Sequence, residues 1–235
     1  MLVLGVLFPI AILGLLALGA ALLFRRGGEG VDLGPRSLLR FYLYIASLAG
    51  ILTLVIGLSG LLNAGFAATF GPGFVYGSQP AVPELARPCP TNEPSVKCME
   101  PTPDYRRQQL RQEERRQGED LIRGMTFAVF GALFWAAHWA ARRGVMGADE
   151  GRSGLRRAYL MLGTVVFGLA TIVLLPMGIY QALSYLILPA GDGVYRQGAG
   201  ESLSGGLVTL PVWLAYLWLV VRDARAARAL PATAA

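Results

Sequence analysis

The stretch "FWAAHWAARRG", residues 134–144, holds His138, the only histidine in the 235-residue chain. A neutral imidazole can ligate a metal, a haem or a chlorophyll-type pigment, or it can pass a proton. A bis-histidine haem within this chain is excluded, because no second histidine exists. A pigment, or a haem shared with another subunit, needs only one and stays open as a cofactor for His138. A proton relay lacks neighbouring carboxylates in the apolar runs. His138 lies four residues before Arg142, roughly 6 Å along a helix. From there it reaches headgroups, water or a loop carbonyl, and that interfacial role is the favoured reading. No resident cofactor is expected.

The other chemistry-bearing pair is Cys89 and Cys98. Eight residues separate them and no histidine is near, unlike compact metal or redox motifs. In an oxidising exterior segment they read as a disulfide. Its ten-residue ring would contribute roughly 2.5–3 kcal/mol by the chain-entropy argument. No metal site is expected. There is no His/Glu zinc signature, no glycine-rich phosphate loop after a strand, and no acid near His138 in sequence to build a triad. The chain is therefore expected not to be an enzyme.

These residues sit among elements that composition already constrains. The chain is 54% hydrophobic and 15% charged, against about 25% charged in soluble domains. Net charge is +6, but the arginines flank apolar runs, which suits lipid headgroups and topology signals and argues against nucleic acid as a partner. Five runs are long enough to cross a bilayer as helices: 2–24, 41–64, 124–141, 158–188 and 205–221. None contains Asp, Glu, Lys or Arg. Their continuity lacks the alternation of a barrel, and unpaired backbone is not tolerated in lipid. The expected class is an all-α integral membrane protein with five transmembrane helices.

Arg25 and Arg26 follow the first run, which reads as a retained anchor and not a cleaved signal. Arginines cluster after runs one, three and five, giving N-out, C-in by the positive-inside rule. Trp139, Arg142, Arg143, Arg157 and Arg222 then mark the inner interface, and 65–123 is extracytoplasmic in a bacterial plasma membrane. Pro176 predicts a kink in the long fourth run, while Pro211 falls early in the fifth. Eight of the fourteen prolines lie in 65–104, which predicts an irregular outer lobe. The mixed-charge stretch 104–123 predicts a solvated helix, interrupted at Gly118; the alternative reading is a docking surface for a partner protein or for lipid headgroups.

An internal repeat is expected. Aligning Arg40–Phe41–Tyr42–Leu43 with Arg157–Ala158–Tyr159–Leu160, and Trp135 with Trp213, pairs His138 with Tyr216. The organisation is then an N-terminal anchor and linker (1–34), a first hairpin (35–143), a second hairpin (152–222) and a short tail (223–235). Both hairpins start and end inside, so they are parallel repeats. Residues 36–63 ("RSLLRFYLYIASLAGILTLVIGLSGLLN") and 131–139 resemble an uncharacterised bacterial multi-pass membrane domain, the domain-of-unknown-function family fifty-six seventy-one. Residues 152–222 resemble a degenerate second copy, departing at Ala158 and at Tyr216, where the pattern has histidine. The resemblance implies a multi-pass membrane protein and no known activity.

Close packing is expected at three small-residue sites. Ala128, Ala132, Ala136 and Ala140 recur every four residues. Gly60 with Ala64, and Thr164 with Gly168, provide two more. Phe127, Phe130, Phe134 and His138 lie roughly opposite the alanines. The expected function is that of a non-catalytic accessory, assembly or scaffold subunit of a larger membrane complex, with the bilayer and a membrane protein or second copy as partners. The alternatives are a transporter or channel for a neutral solute, and a pigment- or haem-binding subunit using His138.

Overall fold

A computed structural model describes residues 35–77, 103–145, 153–188 and 197–228. These are helical, with no strand among them: α1 (Pro35–Phe70), α2 (Pro72–Tyr76), α3 (Pro103–Val145), α4 (Gly154–Ile187) and α5 (Gly200–Arg228). Four helices are long and apolar enough to cross a membrane, over Leu38–Phe70, Arg111–Gly144, Gly154–Ile187 and Gly200–Ala226. The first expected span, 2–24, lies outside the described residues, as do Cys89 and Cys98. No disulfide occurs among the described residues.

The helices outrun the apolar runs that predict them. Hydrocarbon thickness sets how many residues must be apolar, not where hydrogen bonding stops. α1 therefore continues to Phe70, into a stretch expected to be irregular. It ends at Gly71, whose φ of 89° suits a residue without a side chain. Pro72 then opens α2, because a proline at the first helical position loses no needed donor. Pro103 opens α3 in the same way, and α3 runs for 43 residues through Gly118 without interruption. α5 starts at Gly200, where the neighbouring Ala199 amide donates to the Phe74 carbonyl at 2.8 Å. Pro211 consequently lies in the helix interior and not in its first turn. α4 is one continuous helix across Pro176.

The chain divides into two compact units, and each long helix contributes to both. In the unit of 52–132 and 170–210, α1 meets α3 through backbone. A side-chain carbon on Gly57 would stand 2.6 Å from the Ala128 Cα, and one on Gly124 would stand 2.7 Å from the Leu61 nitrogen. One on Gly131 would stand 2.7 Å from the Leu54 Cα. α4 meets α5 similarly: carbons on Gly178 and Gly206 would stand 2.5 Å from the Leu203 Cα and 2.7 Å from the Leu175 Cα. Without a hydrophobic drive between helices in lipid, such approach and the dispersion it allows hold them together. Beside this, Ala67, Phe74, Val75 and Ala199 form a small apolar core with Tyr185 and Leu203 around it.

In the other unit, large rings fill the space that glycines leave. Gly163 faces the Tyr216 ring, Gly168 faces the Trp213 indole, and Gly50 faces the backbone of Trp135. Phe167 is almost fully buried and lies 5.6 Å from Tyr216.

Candidate functional site

Two polar clusters stand out, one in each unit. The first is built from rings and arginines on α1, α3, α4 and α5. His138 Nδ1 lies 2.8 Å from the Phe134 carbonyl, one turn back on α3. A carbonyl only accepts, so Nδ1 carries the proton and donates. The Tyr42 hydroxyl lies 3.3 Å from Nε2. The Nδ1–H···O=C bond is the kind that orients a ligating imidazole, and Tyr42 stands beside the nitrogen that a haem or pigment would use.

On α4 and α5, the Tyr159 and Tyr216 oxygens lie 2.6 Å apart. Tyr44 packs 5.0 Å from Tyr159, ring centre to ring centre. The Arg142 guanidinium lies 4.7 Å from the Tyr44 ring and 5.4 Å from the Tyr159 ring. Arg156 pairs with Asp223 at 3.0 Å. Arg143 stacks on Trp139 at 3.6 Å and Arg222 lies over Trp218 at 5.1 Å. Arg157 is exposed. Tyr159→Phe should remove the hydroxyl pair and lower thermal stability in detergent by about 0.6 kcal/mol, the average for interhelical bonds in membrane helices. A shift equal to that of a surface substitution would show that the pair contributes nothing.

The second cluster centres on Asp120, a buried acid on α3. Its Oδ2 accepts from Asn63 Nδ2 on α1 at 2.8 Å and from the Tyr76 hydroxyl on α2 at 3.0 Å. Its Oδ1 pairs with Arg123, one turn along. Burial and the Asp120 carboxylate push the Tyr76 phenol well above its usual range. Asn63 Oδ1 and Gln181 Oε1 are buried without a hydrogen-bond partner. Gly200 faces Asn63 Oδ1. Further along α4 and α5, Thr171 donates to Thr209 at 3.0 Å, and Thr209 to the Gly205 carbonyl at 2.9 Å.

The expected packing residues are distributed unevenly. Ala128 is buried against Gly57, Ala132 is half-buried, and Ala136 and Ala140 are exposed. Gly60 approaches Gly124, and Ala64 is buried. Gly168 is buried, while Thr164 bonds its own helix at the Leu160 carbonyl. Asp120 was not among the expected residues, since 104–123 reads as a solvated helix. A signal was present. Asp120, Gly124, Ala128 and Gly131 recur at helical spacing, so the buried stripe of α3 starts one turn before its apolar run.

The described chain is thus all-helical, with four helices able to cross a membrane and polar clusters between them. Residues 106–193 match the family described as Domain of unknown function (DUF5671). The match takes in nearly all of α3 and all of α4. It therefore joins the second half of one expected hairpin to the first half of the next, and does not fall on 36–63. No curated protein and no solved structure matches significantly.

Proposed function

We propose that this is a multi-pass protein of the bacterial plasma membrane that works without catalysis, as an accessory, assembly or scaffold subunit of a larger membrane complex. The observation that carries the reading is the state of α3. Ala136 and Ala140 are exposed, as are Phe127, Phe130 and Phe134. Before Asp120, Arg107, Arg111, Glu114 and Arg116 are exposed as well, with the Arg115–Glu119 pair on the surface. A helix with small residues open to close approach, continuous with a polar docking stretch, fits a partner helix and its outer domain.

The orientation is N-out, C-in, with 65–123 extracytoplasmic, as the arginine distribution supports. Two parallel hairpin repeats are supported by contacts that recur in register. Tyr42 with His138 corresponds to Tyr159 with Tyr216. Carrying the same alignment along, Leu54 with Gly131 corresponds to Thr171 with Thr209, and Leu61 with Gly124 to Gly178 with Ser202.

Affinity purification of the full chain in mild detergent tests the subunit reading. Stoichiometric membrane partners are expected. A lone chain that carries a neutral solute across liposomes would sink it and favour the second reading, for which the unpaired buried oxygens of Asn63 and Gln181 speak. A visible absorption band that vanishes in His138→Ala would instead establish a pigment or haem ligand.

A further inference from the structure

We propose that the unit formed by 1–51, 133–169 and 211–235 selects anionic phospholipid headgroups, with Arg143 and Arg222 as the contacting residues. The proposal rests on the chain lying in a bilayer. Charge is divided unequally between the units. Among described side chains, this unit carries seven arginines and one acid, Asp223. The other unit carries five arginines and five acids. Among the described residues that single acid is engaged by Arg156, and the unit's positive charge exceeds its negative charge.

Two of these arginines share one construction. Arg143 lies 3.6 Å over the ring of Trp139, one helical turn earlier, and Arg222 lies 5.1 Å over Trp218, also one turn earlier. Stacking uses the flat face of the guanidinium and leaves its N–H edge directed outward in the ring plane. That edge suits two oxygens of a phosphate. Tryptophan settles at the level of the headgroups, so each stack holds its arginine at the depth of the phosphodiester. Trp218 is 61% exposed, which leaves its surroundings open to lipid. Arg222 also approaches Asp223 at 3.4 Å, a long contact at an exposed position that is worth little. A phosphatidylcholine headgroup presents a cationic choline beyond its phosphate, whereas phosphatidylglycerol presents none. The same arginines therefore discriminate between the two.

The test is tryptophan quenching of the full chain reconstituted with brominated phosphatidylglycerol or brominated phosphatidylcholine. Phosphatidylglycerol should associate more strongly, by about fivefold for each contacting arginine. High salt should reduce the ratio, because the groups are near the surface. Arg143→Gln with Arg222→Gln should bring the ratio close to one. Arg143→Lys with Arg222→Lys preserves the charge that sets orientation but not the stacked fork, and should retain an intermediate preference. Equal quenching by the two lipids in the native chain overturns the proposal, as does a preference that the glutamine pair leaves unchanged. Loss of the preference on adding excess inorganic phosphate would assign the site to a free ion and overturn the lipid assignment. Absence of quenching by either lipid overturns the bilayer placement itself, together with the proposal.

Discussion

Gly57→Leu is expected to prevent the chain from assembling its helices, with a loss of about 3 kcal/mol or more. The reason is the nature of the neighbour. A side-chain carbon at Gly57 meets the Ala128 backbone, with the Cα at 2.6 Å. A side chain could turn away, but a helix backbone must translate as a body. Moving α3 back would also open the contacts of Gly124 with Leu61 and Gly131 with Leu54. The close approach is shared by all three positions, so one intrusion forfeits the dispersion of the whole stripe. Controls lie in the same chain. Gly65 and Gly118 have nothing within 4 Å of an added carbon. Gly118→Ala should stabilise α3 by up to about 1 kcal/mol, as removing an interior helical glycine does. Thermal unfolding in one detergent should rank the three as Gly57→Leu far below native and Gly65→Ala and Gly118→Ala at or above it. A Gly57→Leu protein that melts with the native chain would show that the backbones do not touch.

Asp120→Ala is the second large effect, at about 3 kcal/mol. The carboxylate ties α1, α2 and α3 together through Asn63, Tyr76 and Arg123. Removing it strands the Asn63 amide, which is buried, and the Tyr76 hydroxyl. Arg123 is largely exposed and recovers water, so its share of the loss is small. Asp120→Asn preserves shape and one accepting oxygen and should lose roughly half as much. The pH dependence separates this from simple packing. The folded pKa of Tyr76 is raised above the unfolded value of about 10. The contribution of that linkage is complete below about pH 10 and is lost as pH climbs toward the raised value. Tyr76→Phe should remove that alkaline slope relative to the native chain. An unchanged slope would place Tyr76 in water.

The existence and apolar character of four helices were legible in the sequence because lipid demands continuous apolar runs. Their ends were less so. Prolines in 65–104 read as helix breakers, yet Pro72 and Pro103 each open a helix, since proline's effect depends on whether its missing donor was needed. His138 meets Tyr42, and Tyr216 meets Tyr159. The partners themselves were not legible, because nothing local tells a tyrosine which ring on a helix 57 residues later it will meet. Ala136 and Ala140 show the converse limit. A four-residue stripe drifts around a helix of 3.6 residues per turn, so it cannot follow one neighbour, and the buried positions instead shift from Ala128 to Gly131.

The length of α3 has an electrical consequence. A bilayer core takes up about 30 Å, roughly 20 residues of helix, and α3 has 43. If Gly124 stands near the edge of that core, Arg107 lies roughly 25 Å beyond it along a rise of 1.5 Å per residue. At physiological ionic strength the Debye length is about 8 Å. The tip is then about three screening lengths from the membrane and does not feel its surface potential. Whatever meets Arg107 and Arg111 would respond to salt and to its own charge, but not to the lipid composition beneath it.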